Sequence, residues 1–115
     1  VTKVYSIELL AELGEAARGK LAAQGVTNVE VRVGDGYAGW PEHAPFARIL
    51  VTAAPPKMPQ ALLDQLAEGG VLVAPVGAEP GSQRLVRIRK RGGELHEEDL
   101  GYVRFVPMVP GSAAP

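Results

Sequence analysis

The stretch Val29-Glu-Val-Arg-Val-Gly-Asp-Gly36, which follows Val4-Tyr-Ser-Ile-Glu8 across one helix-length segment, decides how this chain folds. Both runs are short and largely apolar, and each leads into an acid, as expected of a buried strand with a polar group at its carboxyl end. In an open parallel α/β sheet, ligands bind outside the carboxyl ends of the strands, and an acid after the second strand accepts hydrogen bonds from ribose hydroxyls. Glu8 occupies that place. Asp35 follows the next strand, where its carboxylate can accept from the exocyclic amine of an adenine, and Gly36 lets the backbone come close to the ring. These three residues read as half of a nucleoside pocket. The Gly-rich turn of such a pocket belongs roughly 20 residues before the ribose acid, whereas this chain opens at Val1 with no initiator Met and is already strand-like. It is therefore expected to be a piece of a longer chain.

Outward from this stretch, the pattern alternates. After Glu8, the residues Leu10, Leu13, Ala17 and Leu21 share one helical face, and Gly25 suits the left-handed position after a last turn. Gly14 and Gly19 inside that helix each cost about 1 kcal/mol relative to Ala, which packing must offset. A loop with Gly39, Trp40 and Pro41 precedes a third strand, 47–53, apolar enough to be covered on both faces. Pro59 opens a second helix with Leu62, Leu63 and Leu66 on one side and Gly69-Gly70 at its end. A fourth strand, 71–76, completes a β-α-β-loop-β-α-β order that calls for right-handed crossovers and a parallel sheet. Residues 84–91 then run to Gly92-Gly93, a two-residue turn suited to an antiparallel hairpin, with 102–108 expected as the returning strand. The last residues, 110–115, are rich in Gly, Ser, Ala and Pro and are expected to form a flexible tail.

The chain has 115 residues, enough for one core, with a formal net charge of −1 that supplies no general attraction to nucleic acid or membrane surfaces. Cysteine is absent, so disulfides and thiolate metal sites are excluded. No apolar run approaches the roughly 20 residues of a membrane span. A soluble, cytoplasmic protein is expected.

The motifs Val4-Tyr-Ser-Ile-Glu8, Val33-Gly-Asp-Gly36, Gly39-Trp40, Ile49-Leu-Val-Thr-Ala-Ala-Pro55, Gly70-Val-Leu-Val-Ala-Pro-Val-Gly77 and Arg104-Phe-Val-Pro-Met108 occur here in order. Together they resemble the C-terminal portion of protein-L-isoaspartate O-methyltransferases over residues 1–109. The resemblance implies a truncated α/β, Rossmann-like S-adenosylmethionine-dependent methyltransferase fold, with a mostly parallel sheet and an antiparallel C-terminal strand pair. It implies that Glu8 contacts the cofactor's ribose, that Asp35 and Gly36 border the adenine, and that Thr52, Ala53 and Ala54 lie on the substrate side. The family's Gly-rich loop and active-site serine lie upstream of Val1, so no catalytic residue carries over and the missing N-terminal half is an implied partner. Leu9 stands where an Arg is frequent in relatives. The implied reaction is methyl transfer from S-adenosylmethionine to the free carboxylate of isoaspartyl residues in damaged proteins, whose ester then collapses through a succinimide. Two other readings stay open: a methyltransferase with another acceptor, and a non-catalytic nucleotide-binding module.

Each candidate also has a plainer reading. Glu8 can serve as a helix N-terminal acid favoured by the macrodipole. Asp35-Gly36 is an ordinary turn dipeptide. Thr52 can bond to backbone at a strand end, and Trp40 can pack beneath its loop. His43 and His96 lack a second ligand at metal spacing and read as surface residues. Arg84, Arg87, Arg89, Lys90 and Arg91 lack interleaved aromatics and precede Glu94, Glu97, Glu98 and Asp99, so they read as a solvated face near a sheet edge rather than a nucleic-acid patch.

Overall fold

A computed structural model of the chain describes residues 2–111. The chain divides into two compact units, one of residues up to Gly39 with the segment from Val109, the other Trp40–Met108.

In the first unit, strand β1 (Val4–Glu8), helix α1 (Ala11–Ala23) and strand β2 (Val29–Val33) form the expected β-α-β element. The strands pair in parallel from Val4↔Val29 to Glu8↔Val33. Gly25, at φ +74°, ends the helix as expected. The packing of α1 departs from its apolar stripe. Leu10 and Leu13 are exposed, Ala17 and Leu21 are half-buried, and the one buried helical residue is Gly14. A Cβ on Gly14 would lie 2.6 Å from Val33 Cγ2, so the glycine admits the strand where any side chain would block it. Arg18 adds a second tie. Its Nε and Nη2 donate to the carbonyl of Val31 at 3.1 and 2.7 Å, and its guanidinium also pairs with Glu15.

The second unit is a four-stranded sheet in the order β3 (Phe46–Leu50), β4 (Leu66–Val76), β5 (Arg84–Arg91), β6 (Glu94–Tyr102), with helix α2 (Gln60–Asp64) before β4. β3 and β4 are parallel, whereas β4, β5 and β6 run antiparallel in turn. Val51, Leu62, Leu66, Leu72, Ala74, Val86 and Ile88 make its core. Leu66 and Leu72 are essentially inaccessible, and burying a leucine fully contributes about 1.5–3 kcal/mol.

Three elements differ from expectation. The second helix is only five residues long, and Leu66–Gly70 belongs to β4. Between the pairs Phe46↔Leu66 and Arg48↔Val71, β3 advances two residues and β4 five, a bulge in β4 just past Leu66. Gly69 at φ +78° and Gly70, where a Cβ would lie 2.7 Å from the carbonyl of Ala67, make the bulge possible. β3 ends at Leu50 and is not covered on both faces. It pairs with β4 alone among the described residues, Ala47 and Arg48 are exposed, and Leu50 is 73% exposed. The returning strand of the hairpin is 94–102, not 102–108. With Gly92 and Gly93 at φ +59° and +77° forming a two-residue turn, Arg91 pairs with Glu94 directly. Residues 112–115 of the expected tail lie outside the described residues; Pro110 and Gly111 are exposed.

This hairpin register accounts for the basic residues. Arg84 meets Asp99 at 2.8 Å, Arg87 meets Glu98 at 2.7 Å and Arg89 lies 3.6 Å from the same carboxylate. Lys90 donates to the carbonyl of Leu66. The positive row on β5 is thus matched by an acidic row on β6, instead of standing as a cationic surface. No described helix is long and apolar enough to cross a membrane.

Candidate active site

Parallel pairing brings the carboxyl ends of β1 and β2 side by side, with neighbouring strands about 4.8 Å apart. The ladder continues one step past the strands, where Gly34 N–H donates to the carbonyl of Glu8 at 2.9 Å. Glu8 and Asp35 therefore leave adjacent strand ends. Both are half-buried. Glu8 Oε2 accepts from the N–H of Leu9 at 2.8 Å, which fixes the carboxylate at the entry to α1. Asp35 Oδ1 accepts from the N–H of Tyr37 at 2.9 Å and so caps the short 3₁₀ helix Gly36–Ala38. In each carboxylate the second oxygen has no hydrogen-bond partner among the described residues. Local backbone holds each acid by one oxygen and leaves the other as an acceptor. The plainer readings of both residues are thus present in the fold, and they orient the acids without consuming them.

Gly36 opens the 3₁₀ turn directly after Asp35, and Tyr37 follows it. Burial and then the negative charge of Asp35 raise the Tyr37 phenol above its ordinary pKa. Arg32 closes the loop by donating from Nη2 to the carbonyl of Gly39 at 3.1 Å. Tyr37 and Arg32 escaped sequence reasoning, since neither position has a motif signature.

Thr52, Ala53 and Ala54 lie in the second unit, just past the end of β3. Their environments differ. Thr52 is exposed, Ala53 is half-buried and Ala54 is 2% exposed with Pro55 buried behind it. Ala54 forms a parallel bridge with Pro107, its N–H donating to Val106 at 2.7 Å and its carbonyl accepting from Met108 at 2.9 Å. Of the three, Thr52 and Ala53 present side-chain surface, and Ala54 anchors them.

Trp40 is buried, and its backbone N–H donates to Gln65 Oε1 at 2.9 Å, in keeping with a packing role. His43 is exposed and stands edge-on to that indole at 5.5 Å. His96 lies on the exposed face of β6, 3.9 Å from Glu94.

Against known proteins, residues 1–113 match the family model described as protein-L-isoaspartate(D-aspartate) O-methyltransferase. The chain belongs to that family. It is 54% identical over 113 residues to a protein-L-isoaspartate O-methyltransferase of a Synechococcus species, covering 93% of this chain and 46% of that protein. It is also 54% identical over 113 residues to the one of Methylorubrum populi, covering 97% and 52%. Among solved structures, it resembles a putative protein-L-isoaspartate O-methyltransferase of Plasmodium falciparum in complex with S-adenosyl-L-homocysteine, with TM-score 0.80 and 25% identity over 93% of this chain and 52% of that one. A second protein-L-isoaspartate O-methyltransferase structure matches with TM-score 0.81 and 28% identity, covering 91% and 33%. The chain spans about half the length of the curated relatives it matches. As a family member it carries a Rossmann-like methyltransferase architecture: β1-β2 and β3-β4 pair in parallel, and β5-β6 is the expected antiparallel C-terminal pair.

Proposed function

We propose that a protein containing this chain transfers a methyl group from S-adenosylmethionine to the free carboxylate of isoaspartyl residues, as a step in protein repair. The observation that carries this reading is the pair of strand-end carboxylates, each held by one oxygen and open at the other, in a chain of this family. A ribose offers two hydroxyl donors and an adenine an exocyclic amine; Glu8 suits the first and Asp35 the second, as charge-assisted acceptors. Gly36 beside Asp35 leaves room for a ring to approach the backbone. When bound, S-adenosylmethionine supplies an electrophilic methyl group.

The acceptor needs no strong base. An aspartyl-type carboxyl with a reference pKa of about 3.9 is an anion near neutral pH. The protein's contribution is then alignment: holding oxygen and methyl in line is worth up to about 7–11 kcal/mol in favourable cases. Thr52 and Ala53, on a segment anchored through Ala54, border the acceptor in this reading. Because the chain spans about half the length of its relatives, the proposal concerns a protein in which these elements are accompanied by the Gly-rich loop and serine that the family resemblance implies. On that basis the 115 residues alone neither bind the cofactor well nor methylate a peptide. We place the activity in the cytoplasm.

The test is transfer of a radiolabelled methyl group by the complete protein to an isoaspartyl peptide and to its aspartyl counterpart. Labelling of the isoaspartyl peptide alone is expected. Equal labelling of both peptides, or of neither, overturns the proposal.

A further inference from the structure

Gln83 is the most buried polar side chain of the described residues, at 1% exposure, and its role is outside the site described above. It lies in the connection between β4 and β5, after the 3₁₀ turn Pro80–Ser82. Its carboxamide is used at both ends by one residue of a distant segment. Phe105 N–H donates to Gln83 Oε1 at 2.6 Å, and Gln83 Nε2 donates to the carbonyl of Phe105 at 3.0 Å. The backbone carbonyl of Gln83 accepts from Val103 N–H at 3.1 Å. A carboxamide bonded in this way imitates a strand neighbour, extending to Phe105 the pairing that the β5–β6 ladder brings as far as Val103.

The stretch so held is the one that grips Ala54. One residue beyond Phe105, the carbonyl of Val106 accepts from Ala54 N–H, and Met108 N–H returns to the carbonyl of Ala54. From the other direction, Gly77 N–H donates to the carbonyl of Pro55 at 2.9 Å. Gly77 in turn lies against Gln83 itself: a Cβ there would fall 2.8 Å from Gln83 Cα and 2.9 Å from the carbonyl oxygen of Ser82, and its φ of +151° disfavours any other residue. Ala54, Pro55, Gly77, Gln83, Phe105, Val106 and Met108 thus close a ring of backbone bonds and tight packing into which Gln83 is tied through its side-chain carboxamide.

We infer that Gln83 is a positioning residue for the acceptor side of the site: its carboxamide fixes the 105–108 segment on Ala54 and thereby sets where Thr52 and Ala53 stand. This rests on the assignment of Thr52–Ala54 to the acceptor side. Buried amide bonding has a conditional character that makes the inference testable. In Gln83→Met the side chain keeps its bulk and loses both polar atoms. In Gln83→Glu the acceptor for Phe105 N–H remains, and the donor to its carbonyl returns only when the carboxyl is protonated.

The experiment uses the complete protein with two readouts. In Gln83→Met, kcat/KM for an isoaspartyl peptide is expected to fall at least tenfold, mainly through the peptide KM, while the S-adenosylmethionine Kd changes less than twofold. Gln83→Glu is expected to regain activity relative to wild type as pH falls, a profile that Gln83→Met lacks and that serves if Gln83→Met does not fold. By hydrogen exchange, the Ala54 and Met108 amides are expected to exchange faster in both variants near neutral pH, with the β1 and β2 amides unchanged. Unaltered peptide kinetics, or equal losses of peptide and cofactor binding, overturn the inference. So does unaltered exchange at Ala54 and Met108. If wild-type protein labels no isoaspartyl peptide, the proposed function fails, and the exchange readout still decides whether Gln83 holds the segment.

Discussion

Gly14 and Gly19 occupy the same helix, yet alanine at the two positions is expected to act with opposite sign. Replacing a mid-helix glycine with alanine gains about 0.5–1 kcal/mol from backbone entropy and helix propensity. At Gly19 nothing lies within 4 Å of the added methyl, so Gly19→Ala is stabilising by about that amount. At Gly14 the methyl meets Val33 Cγ2 at 2.6 Å, far inside the ordinary carbon contact of about 3.5–4.0 Å. A valine is stiff about χ1 and cannot swing aside cheaply. Forcing a methyl into such a contact costs about 1–3 kcal/mol, which exceeds the propensity gain, so Gly14→Ala is destabilising by about 1 kcal/mol. The gap between the two variants is then about 2 kcal/mol. In a protein of 150–250 residues this corresponds to a difference in Tm of about 4–8 °C. Urea or thermal unfolding of the two single variants measures it. The new methyl would also press on Val33, which pairs with Glu8 and precedes Asp35 by two residues, so Gly14→Ala should weaken S-adenosylmethionine binding whereas Gly19→Ala should not. If Gly14→Ala stabilises the protein as much as Gly19→Ala, the close packing of α1 on β2 is wrong.

Glu8→Gln should weaken S-adenosylmethionine binding by replacing a charge-assisted acceptor with a neutral amide; titration with a sulfonium analogue lacking the ribose should show no such loss, and an equal loss would remove Glu8 from the ribose. Glu68 accepts from the N–H groups of Gly93 and Gly92, and these bonds hold its carboxyl below the ordinary range. A group whose folded pKa is depressed stabilises the fold above its unfolded pKa and loses that contribution as pH falls through the folded value. The stability difference between wild type and Glu68→Gln should therefore be present at neutral pH and vanish in acid below the normal glutamate range, and a difference that grows on acidification would refute the role of Glu68 in securing the hairpin turn.

How much of this was legible beforehand depended on the range of the interactions. β1, β2 and the Gly92-Gly93 turn follow from local chemistry, since an apolar run ending in an acid and a pair of left-handed glycines carry their conformations with them. The extent of α2 did not, because Leu62, Leu63 and Leu66 have helical spacing whether or not the backbone bulges at Gly69 and Gly70. β3 is apolar except at Arg48, yet exposure at Leu50 depends on which strands lie beside it. The hairpin returns at Glu94 and not at 102 because a two-residue turn starts the next strand at once, even when that strand is acidic. At the site, Glu8 and Asp35 were readable because strand ends are. Gln83 was not, for a single glutamine amid polar residues gives no sign that its partner is Phe105, 22 residues away.

The most direct test of the central claim, that the adjacent ends of β1 and β2 hold the cofactor, is calorimetric titration of the complete protein and its Asp35→Ala variant with S-adenosylmethionine. Leaving a donor on the ligand unpaired costs about 1–3 kcal/mol, so the variant should bind roughly 5- to 150-fold more weakly, beyond the about 0.5–2 kcal/mol of folding stability lost with the cap on Tyr37. An unchanged Kd would contradict the account.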